Sequence, residues 1–550
     1  MRIVAEFEPC FGSLISWPLG IPQALVVDLA KDDTLYVAVG STSDQNSAKS
    51  QFTSWGVNMN HCVFIQAPTN THWSRDWGPH CTFDSNGVGG ILDPVFNGYP
   101  HVSGCSNAAQ SNEPIVWESR TVSDEPRFGT FTDDDKVNAK LASALGWPLR
   151  AMPCYFTGGN NMVDGMNIAI STQLMVDENV SNSIDATTFK NYAKKYCGIT
   201  NYILVDKPEP NGIQHIDCFA KYLDEETILV KEVASSNSDY RCTERLADQI
   251  KALKSCYGRP YKIVRILCGS YSGSSVAAYT NSIIVNKKVY VPLFGISTDQ
   301  SALETFRKAM PGYAVTGYTH NGQWYYYDAL HCRVMGIFDR YMLRIAHRSM
   351  DSAINAPSDI PVKAEIDDRS EKGLIMDKCL VYWRKKGSTS WEAVPFAKAA
   401  GLDSMIAYIP KQPTGAEVEY YLQAADSSGR TVTLPRSAPS WIFSFKVLQG
   451  TSIDDQKHRQ RNDAMYQIKL FPQRALPIVF SVSRPIRVSL IITDMTGKTV
   501  RTLIQEAIPN QAVFWDERDG SGMTCPSGIY LCSVKTGKTT LHAQRIIITR

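Results

Sequence analysis

A cysteine preceded by a histidine, in Asp328-Ala-Leu-His-Cys332-Arg, has possible partners in two other fragments, Trp73-Ser-Arg-Asp76-Trp-Gly-Pro and His215-Ile-Asp217. Together they offer a sulfur nucleophile, an acid/base and two carboxylates. That set suits attack on a guanidinium. Its central carbon is electron-rich and its leaving group, ammonia, must be protonated, so the reaction needs a thiolate, a proton carrier and carboxylates that grip a planar cation. If residues 215 to 217 are extended, the two-residue period of a strand sets the imidazole and the carboxylate of Asp217 on one face. A thiol with a pKa of about 8.5 is mostly protonated at neutral pH, so the cationic substrate or His215 has to stabilise the thiolate.

The same residues admit plainer readings. His215-x-Asp217 could be half of a metal site or a buried hydrogen-bonded pair. A zinc site wants three or four ligands at tight spacing, however, and no His-x-x-x-His or Cys-x-x-Cys element accompanies this one, so no metal is expected. Asp76 could form a surface ion pair with Arg75, but Trp73, Trp77 and Pro79 around it argue against a solvated loop. The run Trp324-Tyr-Tyr-Tyr327 is either core packing or a wall beside the nucleophile. A cysteine protease would also use a Cys/His pair, yet paired carboxylates are ill placed beside a developing oxyanion, which needs donors.

The chain order of the motifs narrows these choices. Trp-x-Arg-Asp, then Thr157-Gly-Gly-Asn160 with Asp164-Gly165, then His-x-Asp, then Tyr279-Thr-Asn281-Ser, then His-Cys resembles the guanidine-modifying enzymes. Asp-Ala-Leu-His-Cys and Thr-Gly-Gly-Asn-x-Met-x-Asp-Gly are most similar to Porphyromonas-type peptidylarginine deiminases, with agmatine deiminases more distant. The resemblance implies a fivefold pseudosymmetric α/β propeller, a pentein, with its site in the central channel. It also implies roles: Cys332 as nucleophile, His215 as acid/base, Asp76 and Asp217 on the guanidinium, and Trp73, Asn281 and Tyr327 around the substrate. Citrulline and ammonia would be the products, and no cofactor would be needed.

One part of the family pattern is missing. Where such an enzyme carries arginines that hold the carboxylate of a C-terminal arginine, this chain reads Phe96-Asn97-Gly98-Tyr99-Pro100, and Arg127, ahead of Asp133-Asp-Asp135, is the candidate in their place. The substrate is therefore open between arginine in a peptide or protein and a small guanidine such as agmatine or free arginine. A catalytically inactive relative that binds or adheres is a further alternative, opposed by the presence of all four reactive residues.

The elements that must position these groups follow from length and pattern. At 550 residues the chain exceeds one hydrophobic core, which stops growing near ~250 to 300 residues, so two or three domains are expected. Residues 1–352 alternate amphipathic helical stretches (22–31, 134–145, 185–196, 243–254 and 299–310) with β-branched runs (202–205, 227–230, 263–267, 282–285 and 289–291), which predicts an α/β domain. Asn286-Lys-Lys288 reads as a hairpin turn. Residues 353–447 have strand runs without convincing helices and fit an immunoglobulin-like β-sandwich. Residues 448–463 read as a linker, and residues 464–550 resemble the β-sandwich sorting domains that end exported Bacteroidetes proteins.

Charge is balanced, with 56 basic and 54 acidic residues, which gives no electrostatic case for nucleic acid or an anionic membrane. No apolar run approaches the ~18 residues of a membrane span, and the first residues lack a signal-peptide pattern. The C-terminal resemblance nevertheless implies a secreted or cell-surface bacterial protein whose leader is absent from this chain. The 14 cysteines are scattered singly. A Cys525–Cys532 disulfide is open, and compartment cannot be read from cysteine usage.

Overall fold

The computed structural model describes residues 1–96, 98, 102–103, 131–180, 183–209, 211–351, 353–355, 358–398 and 404–448. Towards the end it describes 466–470, 476–482, 489–494, 498–504, 511–515, 518–526, 528–536 and 539–548. Arg127 lies outside the described residues, as do Asn97, Tyr99 and Pro100.

Residues 10–338 form an α/β domain in which, among the described residues, five sheets of three or four strands share one plan. Two strands pair antiparallel, and a third strand, reached through a helix, runs parallel to the second. In the second sheet these are His80–Phe83, Gly89–Val95 and Leu149–Tyr155, with the helix Val137–Leu145 in the crossover. In the third they are Met162–Val163, Ile168–Thr172 and Asn201–Val205, and in the fourth Ala220–Tyr222, Thr227–Glu232 and Lys262–Leu267. The fifth uses Ile283–Val285, Lys288–Leu293 and Ala314–Thr319. The first sheet joins both ends of this segment, because Met335–Phe338 pairs antiparallel with Cys10–Ser16, which continues in parallel to Thr34–Val39 and Cys62–Gln66.

Middle strands such as Thr34–Val39 and Lys288–Leu293 are buried along most of their length, as expected where helices cover a sheet and apolar runs replace alternation. The crossover helices are amphipathic. Tyr240–Lys251 buries Cys242, Leu246 and Ile250, a single stripe at helical spacing. Asp299–Ala309 buries Ala302, Leu303 and Phe306, while the Asp299 carboxylate accepts from the backbone N–H groups of Phe294, Gly295 and Ile296 at its start.

Each stretch expected to be helical contains a helix, although 243–254 begins a turn earlier, at Tyr240, and 185–196 ends in a π-helical turn, Ala193–Cys197. The hairpin at Asn286 is present, with Asn286 in the left-handed region at φ 52°. Thr42–Ser54 is a helix the periodicity did not reveal, being polar and burying only Ala48 and Phe52.

Among the described residues after the α/β domain the elements are strands, apart from one 3₁₀ turn at Met376–Lys378. One sheet pairs Leu343–Ala346 with Ile360–Asp368 and then with Met405–Ile409, so sheet hydrogen bonding crosses residue 352. A second contains Leu380–Lys385, Glu392–Pro395, Glu417–Ala425 and Thr431–Leu434. Ion pairs tie this region to the α/β domain: Arg430 to Asp339 at 2.7 Å and Arg436 to Glu225 at 2.6 Å.

The C-terminal region forms a separate unit. One of its sheets is Tyr466–Leu470, Leu476–Val482 and Gln511–Trp515. The other is Thr499–Ile504, Ser489–Asp494, Gly528–Thr536 and Thr539–Ile548. Cys525 and Cys532 are not disulfide-bonded to each other. Among the described residues no helix is long and apolar enough to cross a membrane.

Candidate active site

Five short turns carry the chemistry, and each precedes the first strand of one sheet. Ser74–Trp77, with Asp76, leads into His80–Phe83, and Gly158–Asn160 leads into Met162–Val163. Ile216–Cys218, with Asp217, leads into Ala220–Tyr222, and Asn281 stands two residues before Ile283–Val285. His331–Arg333, with Cys332, leads into Met335–Phe338. The Asp76 turn neighbours both the Gly158–Asn160 turn and the Cys332 turn, and the Gly158–Asn160 turn neighbours the Asp217 turn. Asn281 bonds to both Asp217 and Cys332, which closes the ring.

Asp217 is therefore not on a strand. His215 is extended, but Ile216–Cys218 is a 3₁₀ turn, so the tight turn, rather than a two-residue strand period, aims the carboxylate. Gln214 precedes it at φ 57°, a costly conformation for a non-glycine residue. It is held there by its N–H donating to Glu209 Oε1 at 2.9 Å and by Thr172 Oγ1 donating to its carbonyl at 2.6 Å.

The four reactive side chains are buried. The Cys332 thiol donates to Asp217 Oδ2 at 3.7 Å, and Asn281 Nδ2 donates to Cys332 Sγ at 3.2 Å and to Asp217 Oδ2 at 3.0 Å. The amide oxygen of Asn281 accepts from the N–H groups of Ala329 and Cys332, so one side chain fixes both nucleophile and carboxylate. His215 Nδ1 is 3.6 Å from Asp76 Oδ1, which also accepts from Gly159 N at 2.9 Å.

Gly159 has to lack a side chain. A Cβ there would stand 2.5 Å from Asp76 Oδ1, 2.9 Å from His215 Nδ1 and 3.1 Å from Asp217 Oδ2. Asn160 links its turn to two neighbours, accepting from Thr172 N and Ile216 N. Asp164, accepting from the N–H groups of Met166, Asn167 and Ile168, is a turn former.

The electrostatics favour a cation. Hydrogen bonding with Cys218 lowers the Cys332 pKa, but burial and the carboxylates of Asp217, Asp76 and Asp328 outweigh it and push the thiol up to about 12. For Asp217, burial favours the neutral acid, yet the hydrogen bond and charge of His331, with His215 behind them, hold it below its usual range.

The outer candidates are placed less directly. Trp73 caps the turn that carries Asp76 and lies beside the His72 ring at 5.0 Å. Tyr327 is 36% exposed and stacks on Tyr325, with Tyr326 edge-on. Two participants escaped the sequence reading. His331 places Nδ1 2.7 Å from Asp217 Oδ2 and Nε2 2.5 Å from Glu6 Oε2. Its signal was adjacency to Cys332; Glu6 had none. Among the described residues no group of three or more His, Cys, Asp or Glu is placed to hold a metal ion.

The family model for Porphyromonas-type peptidyl-arginine deiminase matches residues 21–337. A Selenomonas ruminantium protein assigned as an agmatine deiminase is 22% identical over 352 residues, 56% of this chain and 87% of its own. A similarly assigned Vibrio parahaemolyticus protein is 22% identical over 280 residues, 46% of this chain and 71% of its own. Among solved structures, the agmatine deiminase of Enterococcus faecalis aligns with a TM-score of 0.50 at 18% identity, covering 62% of this chain and 96% of that one. That likeness speaks to the fold.

Proposed function

The chain belongs to the Porphyromonas-type peptidyl-arginine deiminase family, hydrolases of guanidino C–N bonds, and from that premise we propose that it converts the guanidinium of arginine, in a peptide or protein, to the ureido group of citrulline with release of ammonia. The observation that carries this reading is a buried thiol held at 3.7 Å from one of two inward carboxylates.

Asp76 and Asp217 accept from the guanidinium nitrogens and fix its plane, with Trp73 along the aliphatic stem. The arriving cation offsets the carboxylates that suppress the Cys332 thiolate, so the nucleophile forms only beside its substrate. The thiolate adds to the central carbon, His215 gives a proton to one amino nitrogen, and ammonia leaves an amidino-thioether on Cys332. His215 then removes a proton from water as its oxygen adds to the same carbon. The C–S bond breaks as the hydroxyl gives its proton to solvent, where it converts the released ammonia to ammonium, and Cys332 departs as thiolate from the ureido product.

The five like sheets and the closed ring of turns support a fivefold pseudosymmetric propeller with this site on its axis. An immunoglobulin-type sandwich after it, then a sorting-type module, favours export. Cys242, which is disulfide-bonded, is in keeping with an oxidising compartment. A second reading, a small guanidine such as agmatine as substrate, is favoured by the assigned names of the relatives.

Agmatine, free arginine, a peptide ending in arginine and a peptide with internal arginine, each assayed for ammonia and ureido product, separate these readings. Release from a peptide that exceeds release from agmatine is the expected result. The reverse order moves the function to the small guanidine, and ammonia release that persists in Cys332→Ala rejects the mechanism.

A further inference from the structure

His331 joins the Asp217 carboxylate to the charged residues around Glu6. Its two ring nitrogens face two carboxylates, Asp217 at 2.7 Å and Glu6 at 2.5 Å. A neutral imidazole has one donor and one acceptor, and an acceptor nitrogen against a carboxylate oxygen would be repelled, so this geometry is satisfied by a ring that donates from both nitrogens.

Glu6 is anchored in turn. It accepts from Lys221 Nζ at 2.7 Å and from the N–H of Ile284 at 2.9 Å, and it pairs with Arg75 at 3.0 Å. These three partners come from the start of the fourth sheet, the start of the fifth and the Asp76 turn. Glu6 thus gathers three of the elements whose turns form the site and passes that placement through His331 to Asp217. On Asp217, Oδ2 accepts from Asn281 and meets His331, so Oδ1, which accepts from Cys218 Sγ at 3.5 Å, is the oxygen this arrangement presents to a cation.

We infer that His331 is a positioning residue, a doubly donating imidazole clamped between Glu6 and Asp217 that fixes the rotation of the Asp217 carboxylate and so determines how tightly and in what plane a guanidinium is held. The inference rests on the proposed reaction, in which Asp217 grips the substrate.

The test is a binding cycle in the full-length Cys332→Ala protein, with arginine and agmatine as probes followed by calorimetry, alongside ammonia release in proteins that keep Cys332. His331→Leu removes both donors and is expected to weaken binding and to lower kcat/KM by about 100-fold, the order that a 1 Å misplacement of a catalytic group brings. In an Asp217→Asn background the same change is expected to add less than about 2-fold, because His331 acts through Asp217. His331→Asn, whose amide nitrogen can occupy the place of Nδ1, is expected to recover at least about 10-fold over His331→Leu. It also keeps the test open if the leucine variant fails to fold. Glu6→Gln should raise KM and also lower the melting temperature, because buried Lys221 and Arg75 lose their charged partner.

Full additivity of His331→Leu with Asp217→Asn, or equal loss in the asparagine and leucine variants, overturns the inference. Failure of the parent protein to release ammonia from any guanidine, with no binding by Cys332→Ala, would instead overturn the proposed reaction, and the two failures are distinct.

Discussion

Replacing Asp217 by asparagine should move two properties of Cys332 in opposite directions. The carboxylate oxygen lies 3.7 Å from Sγ. At an effective dielectric of ~20, a unit charge at that distance disfavours the thiolate by about 4.5 kcal/mol, or about three decades in thiolate population at fixed pH. A less basic thiolate is also a weaker nucleophile, with a Brønsted slope of about 0.4 to 0.5, so about half of the logarithmic gain survives in a reaction rate. Iodoacetamide, which is neutral and gains nothing from the carboxylates, should therefore alkylate Cys332 about 50-fold faster in Asp217→Asn than in the parent at pH 7.5. Turnover should fall in the same protein, since one set of charge-assisted bonds to the guanidinium is lost, about 1.5 to 3 kcal/mol. Peptide mass spectrometry of alkylated Cys332 against time, with ammonia release measured in parallel, reads both. Unchanged or slower alkylation in a variant with normal melting would refute the argument that Asp217 suppresses the free thiolate.

Gly159→Ala should lower kcat/KM by about 100-fold or more, because its Cβ would enter the space between Asp76, His215 and Asp217; near-normal ammonia release would mean that the turn yields easily. A chain ending at residue 350 loses the Arg436–Glu225 and Arg430–Asp339 pairs and leaves Leu343–Ala346 an unpaired edge. Stranding partly buried partners costs about 3 kcal/mol or more, so it should melt at least about 5 °C below a chain ending at residue 448, which should keep the parent kcat on a small guanidine.

The reactive groups were legible because thiol, imidazole and carboxylate are chemically specific, and their order along the chain carries information that each lacks alone. The plan shared by the five sheets was not legible as a repeat in the letters, and only the family resemblance implied it. Its repeat lies in hydrogen-bond topology, hairpin then helix then parallel strand, and each sheet meets that plan with different apolar residues. The helix Thr42–Ser54 was missed because its buried face is two residues, too few to register as periodicity. Glu6 was invisible for a different reason. It is separated from His331 by 325 positions, and a pairing made only by closure of the first sheet leaves no local pattern. An extended run at residues 215 to 217 was a condition and not a reading, since three residues cannot distinguish a strand from the 3₁₀ turn found there.

The most direct test of the account is to trap the intermediate. Rapid acid quenching during turnover of an arginine peptide or agmatine, followed by peptide mass spectrometry, should find an amidino adduct on the peptide containing Cys332. The adduct should vanish in Cys332→Ala and, in His215→Gln, form more slowly but persist longer once formed, because neither ammonia departure nor water attack is assisted. Turnover with no adduct on Cys332, or with the adduct on Cys218, would contradict the assignment of the nucleophile.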